Sequence, residues 1–253
     1  MEKDRVEILG VLINAVNLSQ TVDQIGAWIE ERGVHYLCAC PAHSIMECVK
    51  NPQLYPLYNN CSMTFPDGMS VVWLLKWQGF KHVERVAATE MMEELFSLSA
   101  QRGWRHYFYG GSPETLVALV QKIETEYSGL QIAGKYSPPF RDLSKAEENE
   151  VVARINASSA DIVWVGIGSP RQEQWMGRQI GRIEAPVMIG VGAAFDFLSG
   201  QKPRAPRWMQ RSGLEWLFRL FNEPVRLWPR YRQYPKFVFL ALAQLLGLWH
   251  PKT

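Results

Sequence analysis

Apolar and polar positions follow a repeating order through the first 199 residues. A short apolar or β-branched run is followed by a turn rich in Gly, Pro or Ser, and then by apolar residues at helical spacing. Strands alternating with helices predict βαβ units and a mostly parallel sheet with helices on both faces. The expected fold class is therefore α/β, with a Rossmann-like core. The predicted strands are residues 35–40, 62–65, 105–109, 162–167 and 187–191.

The pattern changes at about residue 200. Beyond it come six prolines and four tryptophans set among arginines, and interior prolines keep helices short. Ten Lys or Arg stand against two Glu in this segment, a net charge of +8, whereas residues 1–199 carry a net charge of −6. We therefore predict a catalytic core over residues 1–199 and a basic helical appendage over residues 200–253.

The charge of this appendage indicates an anionic partner: lipid headgroups, nucleic acid or a diphosphate. The apolar run over residues 237–249 has thirteen residues. As a helix it reaches roughly 20 Å, short of the roughly 30 Å of a bilayer core. Interleaved tryptophans and arginines favour a membrane-surface element over a solvated basic face. Residues 1–10 have no apolar stretch of a signal peptide, so a cytoplasmic location is expected.

Cysteine and carboxylate spacing gives no reason to expect a metal. Cys38, Cys40, Cys48 and Cys61 lie in one stretch without a second Cys/His pair, so reduced cysteines are favoured over a metal site. The sequence has no Asp-x-Asp pair to hold a metal–diphosphate complex. Arginines and helix N-termini are expected to stabilise a leaving group instead, without a cofactor.

Two strands end in Gly-Ser-Pro followed by a helix. The N–H groups behind Gly110 and Gly111 are suited to an anion such as a diphosphate. Local pattern alone favours simple capping, however. In the second case Ser169 and Gln172 have the spacing of a capping box.

Asp67 and Arg85 are the charged candidates for chemistry. Asp67 follows an apolar strand and precedes Gly68 and a helix. This context suits a helix cap, favoured by local pattern, or a general base at a strand end. Arg85 precedes a helix for which Thr89 is the expected N-cap, and it can pair with the acids of that helix or face a phosphate.

Six stretches in this order resemble the WecG/TagA/CpsF family of bacterial glycosyltransferases, over about residues 6–235. They are Phe65-Pro-Asp-Gly-Met-Ser-Val-Val-Trp, Glu84-Arg-Val-Ala-Ala-Thr-Glu, Phe108-Tyr-Gly-Gly-Ser-Pro-Glu, Gly166-Ile-Gly-Ser-Pro-Arg-Gln-Glu, Gly190-Val-Gly-Ala-Ala-Phe-Asp-Phe, and Arg204-Ala-Pro-Arg-Trp with Gly213-Leu-Glu-Trp-Leu-Phe-Arg.

The resemblance implies an inverting transferase in cell-surface polysaccharide synthesis, thought not to need a metal. The sugar, typically of the N-acetylmannosamine type or a related hexose or uronic acid, moves from UDP to a polyprenyl-diphosphate-linked acceptor. It implies a Rossmann-like core and an appendage that completes the site and docks on the inner face of the plasma membrane. No nucleic-acid partner is expected, and a homo-oligomer stays open.

Site residues follow from the same resemblance. The proposed base falls on Asp67 and a site arginine on Arg85. Further positions expected to bind nucleotide or substrate are Gly110, Gly111, Tyr136, Gln172, Asp196, Arg219 and Arg226.

One departure from the family pattern concerns the sugar. Where the family often has Thr-x-Asn, this chain has Cys38-Ala-Cys40, and a thiol is a weak hydrogen-bonding partner. A donor other than N-acetylmannosamine is thus open. Two other classes of protein are alternatives. One is another nucleotide-binding α/β enzyme such as a dehydrogenase, but the Gly-x-Gly-x-x-Gly motif of that class is absent after the first strand. The other is a non-enzymatic membrane-surface binding module.

Overall fold

The computed structural model describes residues 5–249. Its strands are β1 (Arg5–Ile8), β2 (Val11–Asn14), β3 (His35–Ala39), β4 (Met63–Phe65), β5 (Arg105–Gly110), β6 (Gln131–Tyr136), β7 (Ile162–Gly166) and β8 (Val187–Gly190).

Helices follow most of the strands. They are α1 (Leu18–Glu31), α2 (Ala42–Lys50), α3 (Tyr55–Asn59), α4 (Met69–Trp77), α5 (Ala88–Arg102), α6 (Pro113–Glu126), α7 (Lys145–Ala157), α8 (Arg171–Gln179), α9 (Ala194–Leu198), α10 (Arg207–Arg211), α11 (Glu215–Asn222), α12 (Pro224–Tyr231) and α13 (Tyr234–Leu245), with a 3₁₀ turn at Pro52–Leu54.

Six strands form one sheet in the order β4-β3-β8-β7-β5-β6. The pairs β3–β8, β8–β7, β7–β5 and β5–β6 are parallel. The register sets Gly110 opposite Gly166, and Gly190 opposite both Val165 and Cys38. These parallel strands therefore end level with one another, and the loops after them share one edge of the sheet, where open α/β sheets bind ligands. The predicted α/β class with a mostly parallel sheet is confirmed.

The chain forms two compact units. Among the described residues, the first contains residues 5–18, 39–87 and 204–249, and the second contains residues 19–38 and 88–203. Residues 204–249 thus cluster with the β4–α4 segment and the N-terminal hairpin. The functional division into a core of residues 1–199 and an appendage of residues 200–253 stays a prediction.

Buried aromatic side chains fill the core of the second unit. Trp164 and Phe108 are wholly buried, and Phe96 meets both rings, with ring centroids 5.9 and 6.1 Å away. The Trp164 Nε1–H donates to His106 Nδ1 at 2.9 Å, and burial lowers the pKa of that imidazole to about 3. His106 is therefore a neutral core residue, and the near-continuous apolar strands are those expected of a sheet covered on both faces.

Side-chain hydrogen bonds hold the first unit together around the β1–β2 hairpin. The Asn14 side-chain oxygen accepts the Thr64 N–H at 2.9 Å and ties the hairpin to β4. The Gln244 side-chain oxygen accepts the Leu9 N–H at 2.8 Å and ties α13 to the hairpin turn. Phe237 and Ala241 are buried on one face of α13, which packs against α2. The apolar run at the end of the chain is thus partly a core element.

Most predicted strands and helices are present within a residue or two of their expected bounds. The β1–β2 hairpin, α1, β6 and α7 were not predicted from the sequence. The predicted N-cap at Thr89 is wrong, because α5 begins at Ala88 and Thr89 lies inside its first turn. The expectation of short helices after residue 200 is confirmed by α10 to α13. No helix within residues 5–249 is long and apolar enough to cross a membrane.

Two phenylalanines on α13 test whether this helix is part of the core. Phe237 is 1% exposed and Phe239 is 70% exposed. Phe237→Ala should lower the free energy of unfolding by about 3–5 kcal/mol because it leaves a cavity. The matched Phe239→Ala should change it by less than about 0.5 kcal/mol. Urea unfolding measures both, and equal effects would show that α13 is not docked as described.

Candidate active site

Asp67 lies in the turn between β4 and α4. The N-cap of α4 is Gly68, and no side chain caps this helix. The interpretation of Asp67 as the helix cap, which local pattern favoured, is therefore wrong. The Val86 N–H donates to the Pro66 carbonyl oxygen at 2.9 Å, which brings the segment carrying Arg85 beside this turn. Asp67 is free of a capping role and faces a cationic neighbour.

Arg85 is shared between two carboxylates. Its NH1 lies 2.7 Å from Glu215 Oε2, and its NH2 lies 3.6 Å from Asp67 Oδ1. The three side chains are 19%, 16% and 24% exposed for Arg85, Glu215 and Asp67. For Arg85 the sequence predicted either a pair with the acids of α5 or a phosphate. The acids found beside it come instead from the β4–α4 turn and from α11.

The surroundings of the Asp67 carboxyl shift its pKa toward neutral pH. Burial is the largest influence and raises its pKa from 3.8 to about 6, and the charge of Glu215 adds to this. Arg85 and Arg219 act in the opposite direction. A carboxylate with such a pKa is ionised at neutral pH and binds protons more strongly than an exposed aspartate. These are properties of a general base.

The last described helices add cations to this part of the first unit. Arg219 lies on α11 one turn after Glu215, so the two share a face of the helix. His43 on α2 has its pKa lowered to about 3 by burial and by the charges of Arg230 and Arg219, so it is neutral at physiological pH. Arg226 on α12 is exposed and paired with Glu223, its NH2 lying 2.7 Å from Glu223 Oε1.

Gly110 and Gly111 lie where β5 meets β7 in the second unit. A Cβ on Gly110 would lie 2.5 Å from the Gly166 carbonyl carbon and oxygen, and its φ is +123°, so only glycine fits. The Gly111 N–H donates to the Gly166 oxygen at 3.1 Å. Ser112 then caps α6 by accepting the Thr115 N–H at 3.1 Å, as the sequence predicted.

Gln172 does not form the predicted capping box. The N-cap of α8 is Pro170, without a side-chain cap. Instead the buried Gln172 Oε1 accepts the Gly192 N–H at 3.0 Å, and its Nε2 donates to Glu173 Oε1 at 2.9 Å. The amide therefore fixes the loop after β8 from the helix after β7. The capping interpretation fails because this loop supplies a better-placed donor than the helix end.

The remaining two positions adjoin the same strand-end loops. Asp196 on α9 forms an ion pair with Lys202 at 2.9 Å, and its neighbour Phe195 lies 3.5 Å from where a Gly111 Cβ would be. Tyr136 ends β6, with the Arg154 guanidinium 4.9 Å from the centre of its ring. The second unit thus gathers Gly110, Gly111, Tyr136, Gln172 and Asp196 around the ends of β5 to β8.

Two further observations bear on the predicted chemistry. Within residues 5–249, no group of three or more His, Cys, Asp and Glu side chains is arranged to hold a metal. All four cysteines are buried, and none of them forms a disulfide. That catalysis needs no metal stays a prediction.

Sequence reasoning missed Glu215, His43 and Tyr234. Glu215 was visible only as part of a motif that ends at Arg219, and its spacing of four residues from that arginine is the signal that places both on one helical face. His43 and Tyr234 carry no local signal. Their places follow from the packing of α13 against α2.

The structure is thus an α/β fold whose first unit carries a half-buried carboxylate beside arginines. The model of the glycosyl transferase WecG/TagA/CpsF family matches residues 6–251. The chain is 30% identical over 196 residues to an N-acetylglucosaminyldiphosphoundecaprenol N-acetyl-beta-D-mannosaminyltransferase of Bacillus spizizenii, covering 78% of this chain and 74% of the relative. It is 29% identical, with the same coverage, to the protein of that description from Bacillus subtilis.

The chain therefore belongs to the WecG/TagA/CpsF family of glycosyltransferases. The resemblance of the six motifs is confirmed, and so is the enzyme class. The dehydrogenase and the non-enzymatic binding module are set aside.

Replacing Asp67 by Asn should reveal the energetic cost of burying its charge. Because folding raises the pKa of this carboxyl from 3.8 to about 6, the folded protein loses stability as the pH rises through this interval. Asp67→Asn avoids this loss and should be as stable as the wild type, or more stable, at pH 8. At pH 5 the difference should be smaller.

Asp161 provides a control of opposite sign. Hydrogen bonds from Arg105 and Arg32 outweigh burial and keep the pKa of this carboxyl below its usual value. Asp161→Asn should therefore melt below the wild type at pH 8. Thermal unfolding at both pH values decides, and a large loss of stability in Asp67→Asn at pH 8 would contradict the account of its charge.

Proposed function

We propose that this enzyme transfers a sugar from a UDP-sugar to a polyprenyl-diphosphate-linked sugar in bacterial cell-surface polysaccharide synthesis, with Asp67 as its general base. The observation that carries this proposal is the half-buried Asp67 carboxylate, 3.6 Å from Arg85 and with a pKa raised to about 6. The names of the relatives supply the substrate class. They describe transfer of N-acetylmannosamine to N-acetylglucosaminyl-diphospho-undecaprenol.

The proposed reaction is a single displacement. The Asp67 carboxylate takes the proton of the acceptor hydroxyl as that oxygen forms its bond to the anomeric carbon of the donor sugar. The bond from this carbon to the UDP oxygen breaks, and UDP leaves with the bonding electron pair. Attack opposite to the leaving group inverts the anomeric centre. Arginine side chains and helix N–H groups offset the negative charge of UDP.

Nucleotide binding is proposed for the strand-end loops of the second unit. Gly110 and Gly111 bring backbone close to the N-terminus of α6, a fourteen-residue helix whose N–H groups favour an anion. Tyr136 offers an aromatic face and Asp196 a carboxylate for hydroxyl groups. Gln172, which is 2% exposed, acts indirectly in this proposal by holding the Gly192 loop in place.

Acceptor diphosphate binding is proposed for the arginines of α11 and α12. Arg219 lies close enough to Asp67 to lower its pKa, so a diphosphate there adjoins the base. Arg226 is exposed one helix further along. Bidentate hydrogen bonds from such arginines suit phosphate oxygens.

The identity of the donor sugar depends on the strand end at Cys38 and Cys40. Both side chains are 0% exposed. Each is a thiol, so neither offers the amide that the family often has at this strand end. We propose N-acetylmannosamine as the first donor to test, because both relatives carry it in their names. A related hexose or uronic acid is the alternative that this departure favours.

Membrane contact is proposed for α11 and α12. Exposed apolar side chains lie on these helices beside basic ones: Phe221 is 78% exposed, Val225 90% and Trp228 58%. They line an open apolar groove together with Leu220 and Pro224. Apolar residues with neighbouring arginines suit the inner face of an anionic membrane, where the lipid-linked acceptor resides. A peripheral location follows from this proposal.

Transfer should depend on Asp67 and on its ionisation. UDP release is measured with UDP-N-acetylmannosamine and a short-chain lipid diphosphate bearing N-acetylglucosamine, with other UDP-sugars in parallel. Asp67→Asn should lower kcat by about 10²–10⁴-fold, because it removes a general base. In the wild type, activity should fall as the pH drops below about 6, where the carboxyl becomes protonated.

The matched control is Asp142→Asn, which alters a fully exposed aspartate. Its kcat should equal that of the wild type. Full activity of Asp67→Asn on any accepted donor would exclude Asp67 as the base. Transfer that persists in EDTA would support the prediction that no metal is needed.

Liposome flotation tests the membrane proposal. The double variant Phe221→Ser and Val225→Ser should reduce binding to vesicles containing phosphatidylglycerol, because it removes apolar groups that enter the interface. Phe140→Ser removes a phenylalanine of the second unit that is more exposed, at 96%, than Phe221, and this variant should bind as the wild type does. Unchanged binding of the double variant would argue against this surface.

A further inference from the structure

We propose that Glu215 is a positioning residue for the base: its carboxylate holds the Arg85 guanidinium away from a close ion pair with Asp67, and so leaves Asp67 available to the acceptor hydroxyl. This inference rests on the proposed role of Asp67. It assigns a role to Glu215 on α11, which the sequence analysis did not name as a site residue.

The distances show which carboxylate engages Arg85. The ion pair between Arg85 and Glu215 is 2.7 Å long. The nitrogen–oxygen distance from Arg85 to Asp67 is longer, 3.6 Å. The two carboxylates therefore share the charge of one guanidinium, and Glu215 lies closer to it.

The chemistry of guanidinium explains why such restraint matters. An arginine beside a single carboxylate tends to form two parallel N–H···O bonds, and these stabilise the ionised carboxylate strongly. A base held in this way binds protons weakly and has fewer lone pairs for an incoming hydroxyl. A second carboxylate competing for the same guanidinium prevents this arrangement.

The other groups around Asp67 are consistent with this role. Arg85 approaches from the segment before α5, Glu215 and Arg219 from α11, and Tyr234 from α13. Burial and Glu215 raise the pKa of Asp67, whereas Arg85 and Arg219 lower it. Two acids face two arginines here, so removing one acid leaves an excess of positive charge beside Asp67.

Glu215→Gln tests the inference in the full-length enzyme. The amide keeps the shape of the side chain but removes the charge that holds Arg85. Arg85 should then pair closely with Asp67, and the acid limb of the kcat profile should move to lower pH by about one unit. At neutral pH kcat should fall about three- to tenfold, because the base is weaker, with little change in the KM for the donor.

The control is Glu30→Gln, which breaks an exposed ion pair with Arg102. It should leave both the pH profile and kcat as in the wild type. A purely structural role for Glu215 would lower activity equally at every pH and would leave the acid limb in place. That result would overturn the inference.

A second measurement is independent of transfer. Carbon-13 NMR of aspartate carboxyls, with the Asp67 signal assigned by its loss in Asp67→Asn, follows the titration of this group directly. A lower titration midpoint in Glu215→Gln supports the inference even if no tested donor is turned over, in which case the proposed function fails alone. An unchanged midpoint refutes it, whatever the activity.

Glu215→Asp serves if Glu215→Gln does not fold. It retains the charge on a side chain one methylene shorter, too short to keep the 2.7 Å contact with Arg85. The midpoint and the acid limb should then move in the same direction by a smaller amount. No movement of either would overturn the inference.

Discussion

A carboxylate withdrawn from water keeps its charge only if neighbouring groups replace its lost hydration. At Asp67 the lost hydration is replaced only in part. The ion pair of Asp67 with Arg85 is 3.6 Å long, and Arg85 lies closer to Glu215, at 2.7 Å. The result is a carboxyl group whose pKa lies near 6, above that of an exposed aspartate. Each of the three groups comes from a different part of the chain, so the first unit must be assembled for this arrangement to exist.

The described part of the first unit is assembled from three separate segments of the chain, residues 5–18, 39–87 and 204–249. The β4–α4 turn supplies Asp67, and α11 supplies Glu215 and Arg219 from nearly 150 residues further along the chain. Aromatic contacts hold α11 in place: the Trp216 ring centroid lies 5.7 Å from the ring centroids of both Tyr231 and Tyr234. Tyr234 begins α13, which is secured by the buried Phe237 and by the hydrogen bond from the Leu9 N–H to Gln244. Packing and hydrogen bonds elsewhere in the unit thus offset the cost of the partly buried charge of Asp67.

Features that depend on neighbouring residues in the sequence were predictable, whereas contacts between residues far apart in the sequence were not. The parallel strands and their helices were predictable because apolar runs and turn residues are local, whereas β6 was missed because its six residues are only partly buried and carry no continuous apolar run. Asp67 and Arg85 were found through motif resemblance, but their ion pair was not, since nothing local says that Arg85 reaches Glu215. The same limit applies to His43, whose neutral state depends on Arg219 and Arg230 from distant helices.

The two Gly-Ser-Pro loops show how tertiary partners decide between equal local signals. Ser112 caps its helix as the pattern predicts, whereas α8 has no side-chain cap and Gln172 turns to Gly192. The difference lies in the neighbouring strand end. In the loop after β8, the Gly192 N–H donates a hydrogen bond to the buried Gln172 side-chain oxygen. The amide also packs closely against this strand end, since a Cβ on Gly190 would lie 2.9 Å from its nitrogen. A buried amide is costly unless its oxygen and nitrogen both find partners, so this pairing outweighs a cap worth about 1 kcal/mol. Gln172 therefore links the helix after β7 to the loop after β8 in the second unit.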